Sequence, residues 1–397
     1  MRWLDVVLKR FLYFAFGIVS GVLAGLLPGL HPNTIAAWSS YLREFAGDDI
    51  SFLIFMVSLG VTDSIVNFIP SIFLGAPEEE SSLALLPGHR LLLKGHGNEA
   101  IKLCLLGSIT SMLFSLLLLP FLYFFLPLVY SALREFIWLL LILVVSILIR
   151  KEKNRKAASL CFLLSGTLGV LTANLPLSNA LFPLLTGLFG VPPLLFSIKK
   201  RVKIPKQKKA KLKLSASTIA IHSFLGCLAG IVVGILPGIG PAQAISLLSL
   251  ERSPRAFLVS NGAVATSNFL FSVLSLLLIG KARSGIAIAI RNEIEFGFME
   301  FLFSICSAIA ACGISFLLSL ALTKLFTSFI EKVNYTALNL AVLSFLCLAV
   351  FVLTSYLGLF LLFVSCCIGI FAWLQPVRKS NLMGALILPS IFFYLGV

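Results

Sequence analysis

Charge is what this sequence has least of. Only 12% of its 397 residues are Asp, Glu, Lys or Arg, whereas 59% are hydrophobic. A water-soluble domain has too little interior to absorb that much apolar surface, so the main solvent must be lipid. Acids are the scarcer sign: 16 Asp and Glu stand against 31 Lys and Arg, a formal net charge of +15. Histidine occurs four times, and no HExxH is present. The eight cysteines (Cys104, Cys161, Cys227, Cys306, Cys312, Cys347, Cys366 and Cys367) form no CxxC and no Cys/His spacing suited to a metal. They read as small apolar packing residues, and no metal or cofactor is expected beyond a coupling Na⁺ or H⁺.

The positive surplus has the size of a nucleic-acid signal but the wrong placement. Nine Lys or Arg fall within residues 199–213 without an acid, and five more within 150–156. Both runs are short loops between apolar spans, where basic residues mark the cytoplasmic side. No nucleic-acid partner is implied; a contact with lipid head groups is a secondary role for the longer loop. Spanning-length apolar runs include 103–119, 136–149, 160–175, 301–318, 338–352 and 357–373. The N-terminus has the outline of a signal peptide. It runs on into a repeated passage with no clear small-residue cleavage site, so it reads as retained structure.

That passage is the chain's most specific feature. Residues 17–36 read GIVSGVLAGLLPGLHPNTIA and residues 226–245 read GCLAGIVVGILPGIGPAQAI. Gly17, Gly21, Gly25, Leu27, Pro28, Gly29 and Pro32 match Gly226, Gly230, Gly234, Leu236, Pro237, Gly238 and Pro241 at one offset. Each half then repeats one order: a broken apolar element (11–46; 216–250), a span (51–74; 255–279), a polar segment (76–98; 281–296) and three or four further spans. The expected architecture is an all-α polytopic membrane protein of two structural repeats, residues 1–198 and 214–397, joined by the basic cytoplasmic linker 199–213. Loop charges do not orient the halves. The length of 11–46, well beyond the roughly twenty residues that cross a bilayer, favours a re-entrant hairpin, and hence inverted over parallel repeats.

Proline removes a backbone donor and glycine permits a turn. Pro28-Gly29 and Pro237-Gly238 should therefore end one helix, with Pro32 and Pro241 opening the next. Paired broken helices are the best sequence pointer to a transporter's site, and N–H groups freed at such a break suit an anion. Candidate substrate ligands are Pro28, Gly29, His31, Asn33 and Thr34 in the first copy, and Pro237, Gly238 and Gln243 in the second. The following spans add Ser64, Asn67, Asn261, Thr266 and Asn268. Asp63, an acid within an apolar span, is the candidate for ion coupling; a cap near a membrane surface is its structural alternative. The glycines at four-residue spacing predict close helix–helix contact. Glu78, Glu79 and Glu80 suit a helix start, and His222 an interfacial position.

The passages GVLAGLLPGLHPNTIA and GIVVGILPGIGPAQA, with LGAPEEESSLALLPGHRLLLKGHGNEA (74–100) and IGKARSGIAIAI (279–290), resemble the tripartite tricarboxylate transporter large-permease family, most closely its compact archaeal branch. The resemblance covers about a third of the chain and implies a multi-spanning secondary permease for organic anions such as carboxylates, driven by an ion gradient. It also implies two partners, a small membrane subunit and an extracytoplasmic binding protein. Two other functions fit parts of the sequence. A polyprenyl-phosphate translocase shares the style of broken helix. An integral membrane enzyme acting on a lipid or phosphate would use Glu78–Glu80 with His89, Arg90, Lys94 and His96.

Overall fold

The computed structural model describes residues 2–27, 39–73, 85–177, 179–199, 204–208, 212–236, 238–248, 253–282 and 284–396. Among them there is no strand. The first half runs α1 (Arg2–Leu26), α2 (Ser39–Ala46), α3 (Asp49–Val66), α4 (Phe68–Phe73), α5 (Leu85–Leu93), α6 (Gly97–Leu133), α7 (Ile137–Arg150), α8 (Arg155–Ala173), α9 (Leu181–Leu185) and α10 (Val191–Lys199). A single π turn, Thr186–Gly190, joins the last two. The second half runs α11 (Ala216–Ile235), α12 (Pro241–Leu247), α13 (Pro254–Ile279), α14 (Gly285–Glu293), α15 (Phe298–Ile330), α16 (Tyr335–Leu374) and α17 (Gly384–Leu395). Nine helical stretches among the described residues are long and apolar enough to cross a bilayer, and the chain is a polytopic membrane protein.

Two boundaries differ from the sequence expectation. The runs 103–119 and 136–149 belong to α6 and α7, joined by one 3₁₀ turn at Arg134–Phe136. The 37 residues of α6 extend about 55 Å at 1.5 Å per residue, beyond a bilayer's apolar thickness. In the second half, 338–352 and 357–373 are arms of α16, which breaks at Ser355 (φ 57°, ψ −159°). Within the polar segments, Leu85–Leu93 form α5 and Gly285–Glu293 form α14.

The repeat glycines lie where helices touch. A β-carbon at Gly17 would overlap Ser58, one at Gly21 would strike the Leu59 carbonyl and Thr62, and one at Gly25 would crowd Val66 and Asn67. Contacts therefore advance together along α1 and α3, which run parallel. In the same way Gly226 lies on Ser260 and Ala263, Gly230 on Ser267, and Gly234 on Phe271, so α11 runs parallel to α13.

Parallel neighbours require the chain to travel back between them. Lys9 Nζ lies 2.7 Å from Asp48 Oδ2, and Tyr13 Oη donates to the Phe45 carbonyl at 2.8 Å. By residue 45 the chain is thus again beside the first turns of α1. Asp48 also caps α3 by accepting from the Ser51 N–H (2.8 Å). Burial opposes its charge, but the bonds from Lys9 and Ser51 outweigh it and hold the carboxyl below its ordinary value.

The relative direction of the halves follows from three contacts. Gly97, at the start of α6, packs on the Phe73 ring at the end of α4. Two residues on, Glu99 accepts from Arg255 Nε (2.7 Å) and Nη2 (3.1 Å), at the start of α13. Further along, Gly60 of α3 meets the Phe269 ring of α13. So α13 begins where α4 ends, and it crosses α3 antiparallel.

Each long helix packs against the other half. α6 lies along α13: β-carbons at Gly107 and Gly262 would overlap the Val259 and Cys104 carbonyls, and Ser108 and Ser111 donate to the carbonyls of Gly262 (3.0 Å) and Ala263 (2.8 Å). α15 meets α3, where Ser315 Oγ donates to Thr62 Oγ1 at 2.9 Å. The outer helices cross over as well. Gly166 and Gly169 of α8 lie on Leu388 and Ala385 of α17, and Gly187 lies on Ser365 of α16.

The basic linker is more than a tether. Its residues 204–208 dock at the turn between α5 and α6. The Lys208 N–H donates to the Gly95 carbonyl (2.8 Å) and Gln207 Oε1 accepts from the Gly97 N–H (2.8 Å). The Gln207 N–H reaches Glu331, at the end of α15 (2.7 Å).

Candidate functional site

The antiparallel crossing of α3 and α13 gathers the polar residues of both spans. Both helices are buried along nearly their whole length, so a polar group there has no lipid or bulk water to turn to. Ser58, Ser64 and Ser267 solve this locally by donating to carbonyls one turn back, at 2.7–2.9 Å. Such bonds use the hydroxyl's one proton and leave its oxygen only as an acceptor. Thr62 is held by Ser315, and Ser260 pairs with His222 (3.2 Å to Nδ1).

The remaining wall residues are Asp63, Asn67, Asn261, Thr266 and Asn268. Asp63 and Asn67 are each 3% exposed and sit beside the end of α1, where the Asp63 carbonyl and the Asn67 N–H lie against Gly25. Asn268, at 9%, is the most open of the buried polar residues of α13. Asn261 and Thr266 are buried, at 1% and 2%, yet both amide atoms of Asn261 and the hydroxyl of Thr266 lack hydrogen-bond partners. Buried polar groups are nearly always paired, so these two exceptions call for an explanation.

Depth follows from spacing. The last glycine of α1 meets Asn67, 18 residues past Asp49. At 1.5 Å per residue that is about 27 Å from the start of α3, with one more short helix beyond it. The described end of α1 therefore stops short of the far end of its partner. α11 stops likewise beside Phe271, with Ser275 Oγ donating to the Gly234 carbonyl (3.4 Å).

The first PG turn, with Pro28, Gly29, His31, Asn33 and Thr34, lies outside the described residues, as do Pro237 and Glu78, Glu79 and Glu80. In the second turn Gly238 has φ +74° and packs on the backbone of Leu386 and Ile387. That conformation is open to glycine and costly for a side chain.

Here one expectation needs revision. The N–H freed by the break at Gly240 does not face a ligand: Gln243 Oε1 accepts from it at 3.0 Å. Gln243 Nε2 donates to the Ser380 carbonyl, also at 3.0 Å. A capping glutamine satisfies the helix start from within. Gln243 thus ties the second turn to the 3₁₀ segment Lys379–Met383.

What continues from that tie was not legible in residue spacing. Asn381 Nδ2 donates to Glu152 (3.0 Å), and Lys151 Nζ reaches the Ser246 carbonyl at the end of α12 (2.9 Å). Glu152 is the single acid in the basic run 150–156, which is the only hint of its role. The Glu99–Arg255 pair was equally silent, because 156 residues separate its members.

His89 lies 3.4 Å from the Ile72 carbonyl and stacks on Tyr335, with burial pushing its imidazole down despite that acceptor. Arg90, Lys94 and His96 share the α5 region, but no three His, Cys, Asp or Glu side chains among the described residues are placed to hold a metal.

Comparison with known proteins matches residues 11–384 to the tripartite tricarboxylate transporter TctA family. The chain is similar to the uncharacterized protein MJ1079 of Methanocaldococcus jannaschii, at 35% identity over 97% of this chain and 98% of that one. No solved structure matches.

Proposed function

Because the chain belongs to the tripartite tricarboxylate transporter TctA family, we propose that it is a secondary permease for a small organic anion, a carboxylate, with its site where α3 and α13 cross. One observation supports this most: the side chains of Asn261 and Thr266 have no hydrogen-bond partner inside a buried span at that crossing, and two helices stop short beside it. Polar groups at membrane depth are tolerated beside a pathway. The opposed directions of α3 and α13 suit an inverted pair of re-entrant hairpins, one opening to each face. Alternating access then consists of one hairpin and its partners rocking against the other.

In this scheme Asn67, Asn261, Thr266 and Asn268 line the site, with Ser64 beside them. Gly238 and Gln243 hold the second turn in place. Asp63 binds the coupling Na⁺ or H⁺. A small membrane subunit and an extracytoplasmic binding protein are the partners that the family's tripartite name suggests.

Reconstitution in liposomes tests this. An imposed sodium or proton gradient should drive accumulation of labelled carboxylate, and Asp63→Asn should abolish accumulation while the protein still purifies as a folded species. Uptake indifferent to both gradients, or unchanged by Asp63→Asn, contradicts the coupling role.

A further inference from the structure

The basic linker is held in place without the use of its charge. Gln207 and Lys208 fasten it to Gly95 and Gly97 of the first half and to Glu331 of the second. Gln207 Nε2 adds a bond to the Leu92 carbonyl (3.1 Å). Ile204 and Leu214 pack against the apolar core on either side, and the Lys213 backbone lies beside Glu99. None of these contacts engages a lysine ammonium group. Lys206, Lys208 and Lys213 stand exposed, as does Lys94. A β-carbon at Gly95 would lie against the Lys206 carbonyl and the Lys208 stem, so Lys94 is their neighbour. No ion pair among the described residues involves any of these four lysines.

The four lie at the level of lipid head groups. α6 begins at Gly97 and α15 ends at Ile330, just before Glu331, and both are long enough to span. A third spanning helix, α13, starts here too, since its Arg255 holds Glu99. A lysine at the end of a spanning helix keeps its charge among the head groups while its stem lies on apolar surface. Leu93 (40% exposed) and Leu212 (44%) offer such surface next to Lys94 and Lys213. The acids described here do not cancel the lysines: Glu99 is buried against Arg255, and exposed Glu331 is followed by exposed Lys332. This is also the face that the basic loops mark as cytoplasmic, where anionic lipids make the leaflet surface negative.

We propose that Lys94, Lys206, Lys208 and Lys213 form a docking edge for an anionic phospholipid. The partner is a lipid whose head group carries a net negative phosphodiester. Its phosphate meets the ammonium groups in charge-assisted hydrogen bonds, and its acyl chains pass Leu93 and Leu212 into the bilayer. Pinning the linker backbone beforehand removes much of the ordering cost of binding. The strap is bonded to both halves, so a lipid held on it reinforces the seam between them. This holds whatever the protein transports.

Thermal unfolding of the full chain in a neutral detergent tests this, with phosphatidylglycerol or phosphatidylcholine of identical acyl chains added. Phosphatidylglycerol should raise the midpoint by about 2 °C or more, because a ligand of the folded state stabilises it. Phosphatidylcholine should leave it nearly unchanged. Salt at about 1 M should erase the difference, since the Debye length falls to about 3 Å. Replacing Lys94, Lys206, Lys208 and Lys213 together by Gln should remove the preference. Replacing Arg150, Lys153, Arg155 and Lys156 by Gln, an equal loss of charge in the other basic run, should preserve it. Each single variant of the first set should lose part of the preference, which tests the site even where the quadruple variant fails to fold. Equal response to both lipids, or equal loss in both quadruple variants, overturns the proposal. So does an equal rise with soluble glycerol phosphate, which would make the ligand a free phosphate.

Discussion

Gln243 and Asn261 are both buried side-chain amides in the second half, yet they end in opposite situations. Gln243 bridges the Gly240 N–H and the Ser380 carbonyl; Asn261 bridges nothing. Sequence reading grouped them as donors to a ligand, because residue type and span position are all it sees. Whether an amide is already engaged depends on a carbonyl 137 residues away. Gln243→Leu should therefore act on stability, stranding a buried N–H and a buried carbonyl at about 1–3 kcal/mol each. Thermal unfolding in detergent should show a lowered midpoint. An unchanged midpoint would mean that the second turn is held by packing on α17 alone.

At the scale of the helix, the glycine spacing was the most legible signal. Gly17, Gly21, Gly25, Gly226, Gly230 and Gly234 fall on one face because four residues make nearly one turn, and that face does meet a partner. What spacing cannot encode is which partner a helix meets. The exchange of α6 onto α13 rests on Gly107 and Gly262, neither of which belongs to the repeated passage. Gly262→Ala should separate this pair, since its β-carbon would overlap the Cys104 carbonyl. A cost of about 1–3 kcal/mol is expected from overpacking. Gly313→Ala is the control: its β-carbon meets nothing within 4 Å, and a helical alanine is about 1 kcal/mol better than glycine. Equal melting behaviour of the two variants would contradict the close α6–α13 contact.

At the scale of the whole molecule, composition alone placed the chain in a membrane, and the basic loops marked one face. Those loops lie at the same end in the structure. Residues 204–208 dock beside the start of α6, while Lys151 reaches the end of α12, the segment leading into α13. The direction of the halves was not readable from charge, because the discriminating residues nearly cancel. It emerges from contacts such as Glu99–Arg255, invisible until the chain is folded. In the scheme proposed above, two opposed hairpins open the crossing to each face in turn. Asn268, the most open of the buried polar residues of α13, is where this is best read. In a background with Cys306, Cys347, Cys366 and Cys367 replaced, Asn268→Cys should react with a membrane-impermeant thiol reagent from either face. Reversing the ion gradient should switch the reactive face. Reaction from one face under every gradient, or from neither, would contradict alternating access at this site.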